Sequence, residues 1–541
     1  NDTVAKSQNI KSLDAIIVGA GFAGIYMLHK LRKLGLLAKI VDAASGVGGT
    51  WFWNRYPGAR CDVESMFYSY SFDEDLEQEW EWTERYPAQP EILKYINHVT
   101  DRFNLRNDIE LETSVKSTVY DENNSKWIIT TSGDINFSAR FCIMATGCLS
   151  AANIPDFQGL KNFKGRVFHT GKWPHKNVNF SNRRVGVIGT GSSGVQIIPE
   201  IAKQAAHLTI FQRTASYVAE AFNRPLDESE QAKTKKNYSG IRAAAKKTFG
   251  GFTNVANNQS AMDLSLEACR EKLEEGWQAG GNSLMVAFND IADNKNSNMR
   301  AQDFVRDKIR QAVPDLELAN KLSPEHLIGC KRLCLGTNYY ETYNRDNVTL
   351  ISLGKEGVEG LNADGVIVQG SIFEIDDLVM ATGFDAMTGA LSKIPIYGKN
   401  NVSLNDSWAA GPRTYLGLMT YGFPNLFIVT GPGSPSVLTN MLPTIEQHVE
   451  WIAECIEYLD KHNIRVIEPY LKSQDDWVKH SNEIASKTLR YSCSSWYLGA
   501  NVPGKPRVFM PYIGGMPAYR EKCSAVVAMG YEGFKLSKNT E

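Results

Sequence analysis

The chain has 541 residues, 43% of them hydrophobic and 22% charged, with a net charge of −2. That length exceeds one ordinary core, so two to four domains or subdomains are expected. The near-neutral charge excludes a broad attraction to nucleic acid or anionic membrane. Apolar runs such as 416–429 are cut by Gly and Pro before reaching a membrane span. Residues 1–12 are polar and carry no signal-like segment, and the missing initiator Met implies trimming. Nine cysteines follow no framework and are read as reduced thiols of a cytoplasmic protein. Cys330-x-x-x-Cys334 has no second Cys pair near it, so no metal is expected.

The first strand-like run, Ala15-Ile16-Ile17-Val18, breaks into Gly19, Gly21 and Gly24 in Gly-x-Gly-x-x-Gly spacing. After a strand and before a helix, these glycines allow the tight turn, the approach of a pyrophosphate and close helix–strand packing. A second run, Ala38-Lys39-Ile40-Val41, ends in Asp42, which lies 42 − 21 = 21 residues past the middle glycine. An acid there hydrogen-bonds a ribose diol, favouring FAD or NAD without a 2′-phosphate. Another apolar run at 141–145 ends in Ala145-Thr146-Gly147. The pattern Phe163-x-Gly165-x-x-x-His169-x-x-x-Trp173-Pro174 follows.

Val185-Gly186-Val187-Ile188 then leads into a second such motif, Gly189, Gly191 and Gly194. Its next strand-like run, Leu208-Thr209-Ile210-Phe211, has no acid after it; Arg213 stands 213 − 191 = 22 residues past the middle glycine. A guanidinium there clasps a 2′-phosphate and selects NADP(H). Ser192 and Ser193 form no Gly-x-Ser-x-Gly elbow, since Val195 takes the last position.

Residues 226–326 are rich in Lys, Glu, Ala and Gln, and Val305, Ile309 and Ala312 fall at helical spacing. Ser323-Pro324 has the chemistry of an N-cap and first turn, predicting another helix. Strand-like runs return at 378–381, ending in Ala381-Thr382-Gly383, and at 426–429. The two Ala-Thr-Gly ends read as the chain crossing between nucleotide units.

The predicted fold is α/β, with two Rossmann-like dinucleotide-binding domains and a helical insertion. The expected division is an FAD-binding part at 1–150 and an NADP-binding part at 151–225. The insertion follows at 226–326, then the second NADP part at 327–380. The second FAD part, 381–541, holds a mobile loop near 492–506.

These motifs together resemble the flavin-dependent (type I) Baeyer–Villiger monooxygenases, the family of phenylacetone and cyclohexanone monooxygenases. The likeness runs from about residue 14 to Phe534. It includes the segment from Gly48-Gly49-Thr50-Trp51-Phe52-Trp53 through Arg60-Cys61-Asp62, then Gly431-Pro432-Gly433-Ser434-Pro435-Ser436, and Trp496-Tyr497-Leu498-Gly499-Ala500-Asn501-Val502-Pro503-Gly504-Lys505. It implies that NADPH reduces FAD, that O2 adds to give a flavin C4a-peroxide, and that this attacks a ketone to give an ester or lactone, with sulfoxidation as an accompanying activity.

A peroxide anion needs a fixed positive charge that cannot deprotonate, which is the property of Arg. By resemblance this is Arg332, held by Asp62, and these two are the expected catalytic residues. The resemblance places Asp42, Thr50, Trp51, Phe52, Trp53, Asp62, Tyr68, Val115 and Met441 around FAD. Around NADP it places Arg60, Cys61, Asp62, Thr190, Gly191, Ser192, Ser193, Gly194, Val195, Gln196, Arg213, Thr214, Lys331, Arg332 and Trp496. Trp496 lies in the loop expected to close over nicotinamide. His169 is read as a structural hydrogen-bonding residue, not a base.

Cys148 stands where the phenylacetone-oxidising member has Gln, and Ser436-Val437-Leu438 falls at an expected apolar ketone pocket. The expected partners are a small ketone and O2, with no nucleic acid and no membrane, acting on a monomer. The alternatives are an N-hydroxylating or sulfoxidising flavin monooxygenase and, in another class, a non-catalytic NADPH-sensing flavoprotein. A disulfide reductase is excluded because no Cys-x-x-x-x-Cys follows the first glycine motif.

Overall fold

A computed structural model describes residues 9–254 and 256–538. Its first sheet takes strands β1 (Asn9–Val18), β2 (Ala38–Val41), β3 (Ile109–Glu110), β4 (Val115–Asp121), β5 (Lys126–Thr131) and β6 (Ile135–Met144) from the first part of the chain. The second sheet is built from β7 (Arg166–His169), β8 (Arg184–Ile188) and β9 (His207–Gln212). Beside it, β10 (Val218–Glu220) pairs in parallel with β11 (Cys334–Gly336). Then β12 (Val348–Ser352) joins the second sheet, and β13 (Gly360–Leu361), β14 (Gly365–Val368) and β15 (Ser371–Glu374) form a small antiparallel sheet. After β16 (Asp377–Met380) the chain returns to the first sheet with β17 (Ile396–Tyr397) and β18 (Leu426–Ile428).

The first sheet runs β17-β4-β5-β6-β1-β2-β3, with β18 also on β6; the second runs β12-β9-β8-β16-β7. Strands β1, β2, β6 and β18 pair in parallel, as do all strands of the second sheet. Parallel strands are covered on both faces, which is why their sequences are continuous apolar runs and not alternations. Ile16 and Ile17, like Val185 and Val187, are fully buried. This mixed α/β architecture is the one expected.

The two glycine turns are near copies. Gly19 (φ +112°) and Gly189 (φ +109°) each occupy backbone space that a side chain cannot share. A Cβ on either would lie 2.3 Å from a carbonyl oxygen, of Ala145 in one and Ala381 in the other. The two Ala-Thr-Gly ends thus abut the two turns. Beyond them the connecting segments run side by side, with Asp385 N–H donating to the Ala151 carbonyl at 2.8 Å and Asn153 N–H to that of Gly383 at 2.9 Å.

Between β10 and β11 the chain is helical, with α-helices from Glu228–Lys236 to Leu316–Leu322. Val305 and Ile309 face the core of the helix Lys295–Ala312, as their spacing predicts. The helix expected to start at Ser323-Pro324 does not form. Ser323 instead ends Leu316–Leu322, its hydroxyl donating back to the Ala319 carbonyl at 2.8 Å. The Pro324 carbonyl accepts from the Arg306 guanidinium at 2.8 Å. Proline here stops a helix, since it cannot donate to the previous turn.

Gly189→Ala combines left-handed backbone with a carbonyl collision, so it should cost about 1–3 kcal/mol. Thermal denaturation should show a clearly lowered Tm; an unchanged Tm would contradict the packing described.

Candidate active site

Each glycine turn opens a helix with an unusual start. Phe22–Lys33 and Ser192–Ala202 have Gly21 and Gly191 as N-caps, no side-chain cap and no acid in the first turn. Elsewhere Asp73, Asp227, Ser265 and Asn294 supply a cap. Uncapped N–H groups at the positive end of a helix dipole suit a phosphate. Nothing lies within 4 Å of where a Gly191 Cβ would stand, so the approach there is open. These cradles fit two dinucleotides.

Asp42 follows β2 with its carboxylate accepting Ala20 N–H at 2.6 Å and Ala44 N–H at 2.8 Å. Burial raises its carboxyl above the usual range, and the two N–H groups oppose that shift. Val115 starts β4, two residues after Thr113, whose N–H donates to the Asp42 carbonyl at 2.8 Å. Thr50, Trp51, Phe52 and Trp53 form one helical turn, Thr50–Trp53. The Trp51 indole donates to the Tyr68 hydroxyl at 3.0 Å, and Gln89 donates to the Trp51 carbonyl at 2.6 Å. Met441 opens the long helix Met441–Lys461, capped by Asn440.

Residues after that turn reach across to the second unit. The Tyr56 hydroxyl donates to Gln196 at 2.7 Å, and the Gln196 amide donates to the Arg60 carbonyl at 2.9 Å. The Arg60 guanidinium turns away, to Glu84 and the Tyr86 carbonyl. Cys61 is a buried thiol, pushed well above its ordinary pKa chiefly by burial. Around the second turn, Thr190 donates to the Thr214 carbonyl at 3.0 Å, and Ser192 lies 3.5 Å from Cys334. Val195 is buried in the core beneath that turn, and Ser193 lies near the Tyr56 hydroxyl.

Arg332, just before β11, is the meeting point. Its Nε donates to Asp62 at 2.9 Å and its Nη1 to the Val437 carbonyl at 2.8 Å. The Asp62 carboxylate raises the Arg332 pKa further, and burial opposes this, so the guanidinium stays charged. Lys331 is half-buried beside the exposed Arg213; burial first and the Arg213 charge second lower its pKa. Neither cation has an acidic partner among the described residues. Two neighbouring cations without an acid between them suit a phosphate.

Val437 also belongs to an apolar cluster with Cys148, Met387, Tyr497 and Phe509, against which Leu438, Met441 and Trp496 pack. Ser495 Oγ and Asn501 Oδ1, in the same segment as Trp496, are buried without partners among the described residues. Sequence reasoning missed Val437 as a backbone ligand of Arg332, and also the Tyr56–Gln196 link; a carbonyl leaves no residue-type signal. His169 makes structural hydrogen bonds. Gly171 N–H donates to its Nδ1 at 3.0 Å, so Nε2 carries the proton and donates to the Asn153 carbonyl at 3.1 Å.

One expectation is corrected. Cys330 and Cys493 form a disulfide, leaving seven buried free cysteines. The residues are 163 positions apart, so no spacing announced the pair.

Two nucleotide cradles meeting at a charged, apolar-walled site define a flavoprotein that exchanges electrons with a pyridine nucleotide. A family model described as pyridine nucleotide-disulphide oxidoreductase matches residues 16–225. A Baeyer–Villiger monooxygenase of Pseudooceanicola batsensis is 41% identical over 544 residues, covering 99% of each chain. The structure of cyclohexanone monooxygenase from Rhodococcus sp. Phi1 bound to NADP+ superposes with a TM-score of 0.96 at 41% identity, over 98% of this chain and 100% of its own. That of OTEMO in complex with FAD and NADP gives 0.94 at 37% identity, over 97% and 100%. The chain belongs to the Baeyer–Villiger monooxygenase family.

Removing one half of the Arg213–Lys331 clasp should weaken only the phosphorylated nucleotide. Arg213→Ala is expected to raise the KM for NADPH about tenfold or more, near 1.4 kcal/mol, with NADH kinetics unchanged. Steady-state kinetics with both nucleotides check this; unaltered preference would contradict it.

Proposed function

We propose that this enzyme converts ketones to esters or lactones, using NADPH and O2, with Arg332 and Asp62 as its catalytic pair. The observation that carries this reading is Arg332, fixed between Asp62 and the Val437 carbonyl where both nucleotide cradles meet an apolar cluster. When bound, NADPH-reduced FAD supplies the activation of dioxygen and the transfer of one oxygen atom to the substrate.

The protein's own contribution is positional and electrostatic. The first cradle and Asp42 hold FAD, with Thr50, Trp51, Phe52, Trp53, Tyr68, Val115 and Met441 around it. The second cradle, Arg213, Thr214 and Lys331 hold NADP(H). Arg332 offers a charge that no working pH removes, aimed at negative charge developing on oxygen. Asp62 keeps that guanidinium in one orientation. Cys148, Met387, Val437 and Leu438 wall the ketone side and exclude water, and Trp496 closes over the nicotinamide.

The same proposal divides the chain after about 150, 225, 326 and 380, supported by which strands share each sheet. It has the enzyme working as a monomer in the cytoplasm; the seven buried free thiols support a reducing compartment. Among the described residues no helix is long and apolar enough to cross a membrane.

The direct test is a panel of linear, cyclic and aryl ketones, sulfides and amines with NADPH and air, products identified by mass. Ketones gaining one oxygen as esters or lactones support the reading; oxygenation confined to nitrogen or sulfur would overturn it. Arg332→Ala should retain bleaching of the flavin by NADPH and lose ester formation by about 100-fold or more. Ester formation at the original rate would remove Arg332 from its role.

A further inference from the structure

The disulfide joins two segments that matter to the site. Cys330 is buried two residues before Arg332, and Cys493 is half-buried three residues before Trp496. It is the only disulfide among the described residues. The segment it anchors is otherwise held by non-covalent contacts, with Tyr497 and Leu498 buried in the apolar cluster. At its start, Leu489 N–H donates to the Ala292 carbonyl at 3.3 Å. At its end, Asn501 donates to the Phe384 carbonyl at 2.7 Å, and Lys505 donates to Asp385 and to the Ala386 carbonyl at 2.7 Å. The Cys493 end therefore has one covalent fastening, and it is to the Arg332 segment.

We propose that Cys330 and Cys493 form a reversible thiol–disulfide modification site, whose oxidised form ties the Trp496 segment to the Arg332 segment and slows nucleotide exchange. In a reducing compartment such a pair is transient and responds to redox conditions, whereas buried isolated thiols stay inert. The oxidant is hydrogen peroxide, which reduced flavin yields with dioxygen when no ketone accepts the oxygen. This source rests on the function proposed above.

The chemistry balances. Cys493 is the more exposed sulfur, and as a thiolate it attacks one peroxide oxygen. The O–O bond breaks, giving a sulfenic acid and hydroxide, which takes a proton to become water. The Cys330 thiolate then attacks the Cys493 sulfur and expels a second hydroxide, which leaves as water after protonation. Two thiols and one peroxide thus give one disulfide and two waters. A small dithiol reverses the change by attacking the half-buried Cys493 sulfur, releasing Cys330 as thiolate and becoming oxidised itself.

A closed loop of this kind restrains the segment because opening must now occur with the Cys493 end attached. The consequence is negative feedback: peroxide made without ketone would slow further NADPH consumption.

The test uses the FAD-bound enzyme, treated either with added hydrogen peroxide or with dithiothreitol, both then removed. Alkylation under denaturing conditions should modify all nine cysteines after reduction, and seven after oxidation, with the 330 and 493 peptides linked. Trypsin cleavage at Arg490 and Arg507 should be roughly tenfold slower in the oxidised form, as should NADP+ release. Cys493→Ser should behave as the reduced enzyme with or without peroxide, and Cys330→Ala should match it. No 330–493 peptide after peroxide, or equal cleavage and release in both states, would overturn the proposal. Added peroxide makes the result independent of ketone oxygenation, so failure of that activity and failure of this site are distinguishable.

Discussion

Arg332 can hold its position only because two remote parts of the chain grip it at once. Asp62 comes from the loop after the first nucleotide cradle, 270 residues away, and the Val437 carbonyl from the stretch before the long helix Met441–Lys461. Arg332 itself leads into β11, which pairs with β10 beside the second sheet. One guanidinium therefore ties the Asp62 loop and the apolar cluster to the segment leading into β11. A planar fork with fixed donors suits this, because a single Arg can satisfy a carboxylate and a carbonyl in different directions. Lysine would offer a point charge on a flexible stem and would lose the orientation.

The same demand for juxtaposition explains the paired turns. Each first glycine lies against the carbonyl of an Ala-Thr-Gly end, so the strand preceding that end is locked to the turn proposed to hold a nucleotide. The connecting segments pair beside one another, and His169 adds a neutral bridge to Asn153, with the Thr382 hydroxyl donating to the same carbonyl at 2.6 Å. Asn153 in turn donates to the Asn501 carbonyl at 3.1 Å, on the segment carrying Trp496. Neutral hydrogen bonds of this kind are weaker than the charge-assisted Arg332–Asp62 pair.

Local patterns were the legible part of the sequence. Both glycine turns, Asp42, Arg213 and the parallel strand runs follow from spacings of a few residues, each with a direct physical reason. The apolar pocket of Cys148, Val437, Leu438 and Met441 came together from family likeness, since its members are scattered over some three hundred positions, whereas the packing of Trp496 against it was not foreseen. Asp62 and Arg332 were joined the same way. The Val437 carbonyl, the Tyr56–Gln196 link and the Cys330–Cys493 bond were not legible, because long-range pairing leaves no spacing to read. Ser323-Pro324 misled for a different reason: the dipeptide that can start a helix can equally follow one, and here the Arg306 guanidinium claims the Pro324 carbonyl.

If Arg332 works only as Asp62 positions it, the two side chains act as a unit and their losses cannot add. The decisive measurement is a double-mutant cycle on Asp62→Asn and Arg332→Lys, scored as ester formed per NADPH oxidised at saturating ketone. The double variant is predicted to be no worse than Arg332→Lys alone. Losses that multiply, each substitution acting independently, would contradict the central role given to this pair.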